Sequence, residues 1–149
     1  MDGDDELDVL SISRDANTYY SKLGWYESTG SGMFTDRMEM NTNTFLPNSI
    51  PSTDLYLSVH AADLDNDGDQ DAIAGYAIDD KVAWYENTGD GSVTSEWVIN
   101  NPDSDADDRT VNGNADAVTS VYASDVDGDG DLDVLSASSK DDKIAWYEN

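Results

Sequence analysis

A chain of 149 residues is long enough for one folded unit and short for two. Its seven Lys and Arg stand against 33 Asp and Glu, and this formal net charge of −26 argues against a nucleic-acid partner and predicts that cations neutralise the folded chain. The chain has no Cys, which excludes disulfides and thiolate metal sites. It also has no apolar run near the ~18 residues of a membrane span. Its content of 38% hydrophobic residues sets it apart from a disordered acidic tail.

The chain contains three copies of one pattern, in which an acidic loop is followed by a Trp-Tyr-Glu block. Residues 1–57 form a partial first repeat that begins inside its acidic loop, residues 58–119 a second repeat, and residues 120–149 a partial third. The last Asp of the loop recurs at Asp8, Asp71 and Asp133, at intervals of 63 and 62 residues. A fixed period of this length is the signature of a repeat architecture.

Each repeat is predicted to form four antiparallel strands. Short apolar stretches, such as 71–76 and 81–85, are separated by Asp, Asn and Gly clusters that are typical of turns. The acidic loop joins the first two strands, Asp79 and Asp80 turn into the Trp-Tyr strand, and residues 96–99 form the fourth. We therefore expect an all-β chain built from β-propeller-like blades, since four strands per repeat is the pattern of a blade.

The first repeat differs from the other two in length. From the last loop Asp to the Trp there are 17 residues in the first repeat and 13 in the second and third. This predicts a four-residue insertion between Arg14 and Lys22, at the tip of an enlarged hairpin.

The complete acidic loops carry carboxylates at positions 1, 3, 5 and 9 and Gly at position 6, which is Gly68 or Gly130. Calcium takes roughly six to eight oxygen ligands, and a loop that curls at this Gly brings such oxygens together, with a backbone carbonyl from position 7. The alternative, a solvated turn without metal, leaves closely spaced carboxylates to repel one another. The predicted calcium ligands are Asp63, Asp65, Asp67, Asp69 and Asp71 in the second repeat, and Asp125, Asp127, Asp129, Asp131 and Asp133 in the third.

Two other metal sites fit less well. An EF-hand needs a Glu at position 12, where this chain has Ala74 and Ser136, and it needs flanking helices where the sequence predicts strands. Magnesium prefers fewer protein ligands in stricter octahedral geometry.

The first repeat offers a weaker third site. Asp2, Asp4 and Asp8 match positions 3, 5 and 9, and Glu6 stands at the carbonyl position. Asp5 replaces the loop Gly, and position 1 would precede Met1. This site is either incomplete or completed by a residue from elsewhere.

Aromatic residues raise a second kind of site. The repeated block contains one Trp in each repeat, namely Trp25, Trp84 and Trp146. Because they recur at the same position of the repeat, we expect them to form packing layers between blades. The alternative is that they are platforms on which sugars stack. Ligand-contact candidates outside the repeated block are Trp97 and Tyr56, with Tyr19, Tyr20 and Lys22 in the insertion, which is more simply a tolerated surface loop. His60, the one His, is interpreted as a strand residue and not a catalytic base, and we expect no enzymatic activity.

The Asp-x-Asp-x-Asp-Gly-x-x-Asp motif and the Ala-Trp-Tyr-Glu-Asn block resemble the FG-GAP or VCBS repeats of the integrin α-chain propeller, propeller lectins and large bacterial and algal surface proteins. The resemblance covers nearly the whole chain. It implies a calcium-stabilised hairpin on each blade, a seven-bladed ring, and roles in adhesion, carbohydrate recognition or matrix structure. About 2.4 repeats are too few to close a ring of 4 to 8 blades, so we expect a partial propeller: a fragment of a longer polypeptide, or copies that assemble.

The sequence thus predicts a calcium-binding structural or adhesion module at the cell surface or outside the cell, where loops of this kind fill at roughly 0.1 to 1 mM calcium. The expected partners are other propeller blades or copies of the chain, and glycans or cell-surface proteins. A carbohydrate-binding propeller lectin and an accessory domain of a secreted enzyme are the alternatives.

Overall fold

The computed structural model describes residues 7–14, 21–35, 38–40, 57–77, 80–89, 97–99 and 116–149. These ranges hold strands and no helix, so the all-β prediction is confirmed for the part of the chain that is described. The strands are β1 (Val9–Arg14), β2 (Ser21–Tyr26), β3 (Met38–Met40), β4 (Leu57–Ala62), β5 (Asp71–Tyr76), β6 (Lys81–Tyr85), β7 (Trp97–Val98), β8 (Val118–Ser124), β9 (Asp133–Ser138) and β10 (Lys143–Tyr147).

The strands form three antiparallel sheets. Sheet 1 has the order β1-β2-β3, sheet 2 the order β4-β5-β6-β7, and sheet 3 the order β8-β9-β10. The predicted four-stranded unit is present in sheet 2, where Trp97 of β7 pairs with Trp84 of β6. Sheets 1 and 3 have three strands each within the described ranges. The predicted insertion after Arg14 falls largely on residues 15–20, outside the described residues, as do Asp79 and Glu96.

Turn chemistry sets the hairpin register. Asp80 and Asp142 occupy the same position in the β5–β6 and β9–β10 turns, 62 residues apart, and both have a left-handed φ, of 49° and 54°. Asp tolerates this conformation better than most residues. The turn therefore places Trp84 opposite Ile73 and, in the third repeat, Trp146 opposite Leu135.

Sheets 1 and 2 pack face to face. Leu23 and Trp25 of sheet 1 are buried against the Ala side chains of sheet 2, which are Ala72, Ala74 and Ala83. The hydroxyl groups of Tyr76 and Tyr85 lie 2.8 Å apart in this layer and share a hydrogen bond. The small Ala side chains of sheet 2 leave room for Leu23 and Trp25 of sheet 1, so the two sheets pack closely.

Sheets 2 and 3 form a second apolar layer, with Ile73 and Val82 buried together with Val118 and Val121. The backbones approach so closely that a Cβ on Gly75 would lie 2.6 Å from Cγ1 of Val118. Two polar contacts also join these sheets. The Val121 N–H donates to Oγ of Ser58 at 3.1 Å, and the Ala117 N–H donates to Oδ1 of Asp80 at 2.7 Å.

The repeated Trp residues take part in these layers unequally. Trp25 is buried between sheets 1 and 2, and Trp84 packs against the layer between sheets 2 and 3, as the packing interpretation expects. Trp146 stands on the outer face of sheet 3 and is exposed. The same local sequence is therefore core or surface according to whether a further sheet covers it.

Candidate metal centres

The second acidic loop connects β4 and β5, and its first three carboxylates converge. Asp63, Asp65 and Asp67 place one carboxylate oxygen each within 4.8 Å of the others. Backbone N–H groups orient them: Asp63 accepts from Asp67 at 3.1 Å and from Gly68 at 3.0 Å. Gly68 makes this turn with a φ of 101°, a conformation that side chains disfavour. The loop thus gathers three negative charges at one exposed point.

The third loop, between β8 and β9, has the same construction. Asp125 accepts hydrogen bonds from the N–H groups of Gly128 at 2.6 Å and Gly130 at 3.2 Å. The three carboxylates that converge within 4.8 Å here are Asp125, Asp127 and Asp133. This grouping differs from that of the second loop, where Asp71, the counterpart of Asp133, is not among the converging three.

The Asp at position 9 has a structural role in both loops. Asp71 is fully buried, and its two oxygens accept the N–H of Leu64 at 3.0 Å and the N–H of Asn87 at 2.8 Å. Asn87 directly follows the Trp-Tyr-Glu block, so one carboxylate ties the start of the acidic loop to the end of the third strand. We call this arrangement the aspartate tie.

The aspartate tie recurs in the third repeat. Asp133 accepts the N–H of Val126 at 3.0 Å and the N–H of Asn149 at 3.1 Å. In the first repeat, Asp8 accepts the N–H of Ser28 at 2.8 Å. The last Asp of every loop therefore binds the residue that follows Trp-Tyr-Glu.

The two complete ties differ in their protonation equilibria. Burial raises the pKa of Asp71 above its ordinary value, although the N–H groups of Asn87 and Leu64 act in the opposite direction. The Val126 N–H is the largest influence on Asp133 and, together with that of Asn149, lowers its pKa although burial opposes this. The ionised carboxylate is thus favoured more strongly in the third loop.

The other predicted ligands are placed as follows. Asp129 Oδ1 accepts the N–H of Asp131 at 3.0 Å, and Asp67 Oδ1 accepts the N–H of Asp69 at 2.9 Å, which brings the position 7 residues against their own loops. In the first repeat Asp8 is described, whereas Asp2, Asp4 and Glu6 lie outside the described residues.

Neighbouring loops also contact each other. Asn66 of the second loop donates to Oδ1 of Asp131 in the third loop at 2.8 Å. The side chain of Asn149 donates to the carbonyl of Leu64 at 2.7 Å. One hydrogen bond therefore links the two acidic loops directly, and a second ties the second loop to the residue after the Trp-Tyr-Glu block of sheet 3.

The sequence interpretation missed these asparagines. It treated the position 9 Asp as a metal ligand only and gave no role to Asn66 or Asn149. A signal for the tie was present, because Ser28, Asn87 and Asn149 follow Trp-Tyr-Glu in all three repeats. No sequence signal marks the contact between loops, since it depends on how two sheets stack.

The donor chemistry fits a hard divalent cation. Each converging group brings together three carboxylate oxygens, and a Gly N–H of the same loop donates to the first Asp of each group. Two carboxylates about 4 Å apart repel by about 1 kcal/mol even in bulk water, and a bound cation removes this cost. Sites built from several oxygen ligands suit calcium better than magnesium or zinc.

A stack of antiparallel sheets with an acidic loop on the first hairpin of sheets 2 and 3 is the architecture of a β-propeller-type repeat module. A profile of the FG-GAP-like repeat matches residues 1–74 and 67–136, and the chain therefore belongs to the FG-GAP-like repeat family. Neither a curated protein nor a solved structure matches it. Within the described residues, no helix is both long and apolar enough to span a membrane.

Proposed function

We propose that this chain is a calcium-binding structural module of an extracellular or cell-surface protein, with a role in adhesion or in building a surface or matrix. The observation that carries the proposal is the convergence of Asp63, Asp65 and Asp67, and of Asp125, Asp127 and Asp133, at equivalent places on neighbouring sheets. Membership of the FG-GAP-like repeat family supports it, because such repeats are typical of extracellular proteins.

In this proposal calcium acts on the scaffold and takes part in no reaction. Bound calcium would neutralise the converging carboxylates and fix each acidic loop on its hairpin, while the aspartate ties hold the loop ends whether or not metal is present. In a chain with a net charge of −26, this neutralisation lowers the repulsion within each acidic loop. The module is thus rigid where calcium is abundant and loosened where it is scarce.

Calcium titration calorimetry and thermal unfolding test the proposal. We expect two binding events in the 0.1 to 1 mM range typical of extracellular modules and a rise in melting temperature with calcium. Asp63→Asn and Asp125→Asn should each remove one event. Glu148→Gln is the matched control, because it removes one exposed charge from outside the loops. Unchanged binding in both loop variants, or a melting temperature indifferent to calcium, refutes the proposal.

Carbohydrate binding is the second candidate, and one observation favours it. Trp97 is exposed on the outermost strand of sheet 2, with its ring 6.3 Å from that of Trp84. Exposed indole rings are suitable platforms for sugar stacking. A glycan array probed with the chain and with Trp97→Ala tests this: binding that the substitution abolishes supports a lectin, and an array without binders rules against it.

A further inference from the structure

The side chain of Asn87 is buried beside the second acidic loop. Asn87 follows the Trp-Tyr-Glu block of sheet 2 and is 1% exposed. Its amide donates to the carbonyl of Gln70 at 3.2 Å, and its side-chain oxygen accepts the N–H of Gly89 at 3.2 Å. Because one end of the amide must donate and the other must accept, a single orientation of the side chain satisfies both partners.

Gln70 is the loop residue that this amide holds. It stands at position 8, between Asp69, whose carbonyl is predicted to bind calcium, and Asp71 of the aspartate tie. Since a peptide group is planar, a fixed carbonyl on Gln70 also fixes the N–H of Asp71. The main-chain N–H of Asn87 binds the carboxylate of Asp71 at 2.8 Å. Asn87 therefore holds both the backbone and a side chain at the end of the acidic loop.

The turn that follows Asn87 also meets the acidic loop. The carboxylate of Asp69 lies against Gly89, where an added Cβ would be 2.5 Å from Oδ2 of Asp69. Gly89 has a left-handed φ of 78°, which favours glycine at this turn. Each of residues 69–71 is therefore in contact with residues 87–89.

The first repeat separates the roles of this position. Ser28 replaces Asn87 there, and it keeps the main-chain hydrogen bond to Asp8. Its hydroxyl accepts the N–H of Gly30 at 3.3 Å, as the Asn87 oxygen accepts that of Gly89. Serine therefore serves both the aspartate tie and the turn. What Asn87 adds is the amide that donates to the acidic loop.

We infer that Asn87 is a positioning residue for calcium in the second acidic loop. Its amide holds residues 69–71 in the shape that binds the ion, so less conformational freedom is lost when calcium binds. Residues behind the ligands orient them in metal sites generally. The inference rests on the proposed function, because it assigns a residue that positions the same site.

Calcium titrations followed by NMR test the inference, because the amide resonances of Gly68 and Gly130 report on the two loops separately. In an Asp125→Asn background, which leaves the second loop intact, Asn87→Ser should weaken calcium binding about three- to tenfold, the effect of one hydrogen bond. Gln70→Ala is the matched control. It removes an exposed side chain and keeps the main-chain carbonyl, so the calcium affinity should not change.

The reciprocal background shows whether the effect belongs to one loop. Asp63→Asn leaves the third loop intact, and adding Asn87→Ser should not change the calcium affinity of that loop. An equal fall in both backgrounds, or no fall in the Asp125→Asn background, overturns the inference. Asn87→Thr, which also lacks the amide, takes the place of Asn87→Ser if that variant does not fold.

Thermal unfolding in chelator separates positioning from stability alone. A residue that only stabilises the fold would lower the melting temperature when replaced and leave calcium binding to the folded chain unchanged, which contradicts the inference. If Asp125→Asn binds calcium and the added Asn87→Ser does not weaken binding, the inference fails and the proposed function stands. If neither the parent chain nor Asp125→Asn binds calcium, both fail.

Discussion

The side-chain amide of Asn66 donates a 2.8 Å hydrogen bond to Oδ1 of Asp131, and this contact joins two acidic loops through residues that are 65 apart in the chain. The amide of Asn149 reaches the carbonyl of Leu64 from the other side of the same interface. One hydrogen bond therefore joins the two loops directly, so the order of one affects the order of the other.

Calcium binding to the two loops should accordingly be coupled. Calcium bound in one loop fixes one partner of the Asn66–Asp131 hydrogen bond. This should raise the calcium affinity of the other loop about two- to fivefold, which corresponds to the free energy of one exposed hydrogen bond. Asn66→Gly should remove this cooperativity, because Gly keeps the left-handed φ of 60° found at Asn66 and deletes only the side chain. Calorimetric titration measures both affinities. Gln70→Ala, an exposed change in the same loop, is the control and should leave the coupling intact.

The aspartate tie should stabilise the fold without metal. In excess chelator, Asp71→Ala should lower the free energy of unfolding by about 2 to 4 kcal/mol, because it leaves the buried N–H groups of Leu64 and Asn87 without their acceptor. Asp67→Ala removes the same charge from an exposed position and should change stability by no more than about 0.5 kcal/mol. Urea denaturation gives both values. Equal effects in the two variants would mean that the tie contributes nothing beyond its charge.

Gly75 should be required for the close approach of sheets 2 and 3. Gly75→Ala should cost about 1 to 3 kcal/mol, since the added Cβ would meet Cγ1 of Val118 at 2.6 Å and Cγ1 of Val121 at 2.9 Å. Removing the obstructing methyl groups with Val118→Ala should relieve this strain. A double-mutant cycle from urea denaturation should thus give a double variant that is more stable than the sum of the single effects predicts. Strict additivity would contradict the steric account.

Stability should fall in mild acid because of His60. Burial against sheet 3, where its ring centroid lies 4.5 Å from that of Tyr122, lowers the pKa of His60 below its ordinary 6.5. The unfolded chain then binds this proton more readily than the folded chain, so the stabilisation is complete above the unfolded pKa and is lost as pH falls from there through the lower folded pKa. His60→Phe should lose less stability than the parent chain between about pH 7.5 and 5.5. Parallel pH profiles for the two proteins would count against this origin.

Much of the fold could be predicted from the sequence because it is encoded locally. The Asp-Gly loops, the turns at Asp80 and Asp142 and the short apolar stretches each specify a hairpin by themselves. The fourth strand of sheet 2 was also predictable, from the apolar residues around Trp97. The convergence of positions 1 and 3 in both loops followed from their spacing, whereas the third member is Asp67 in the second loop and Asp133 in the third.

The remaining features depend on contacts between distant parts of the chain. The sequence predicts Asp71 to be a metal ligand, yet it is buried and accepts a hydrogen bond from the backbone N–H of Asn87, 16 residues away. Trp84 and Trp146 have the same neighbours in sequence, and only the stacking of sheets decides that one is packed and the other exposed. No local pattern encodes either result.

The aspartate tie has a consequence for how these repeats vary. Its donor is a main-chain N–H, which every residue except Pro carries, so the position after Trp-Tyr-Glu tolerates Ser28 in one repeat and Asn87 or Asn149 in the others. Side-chain scanning of that position would therefore underestimate its importance. Only substitution by Pro, which has no backbone N–H, would show how much the stability of the repeat depends on this hydrogen bond.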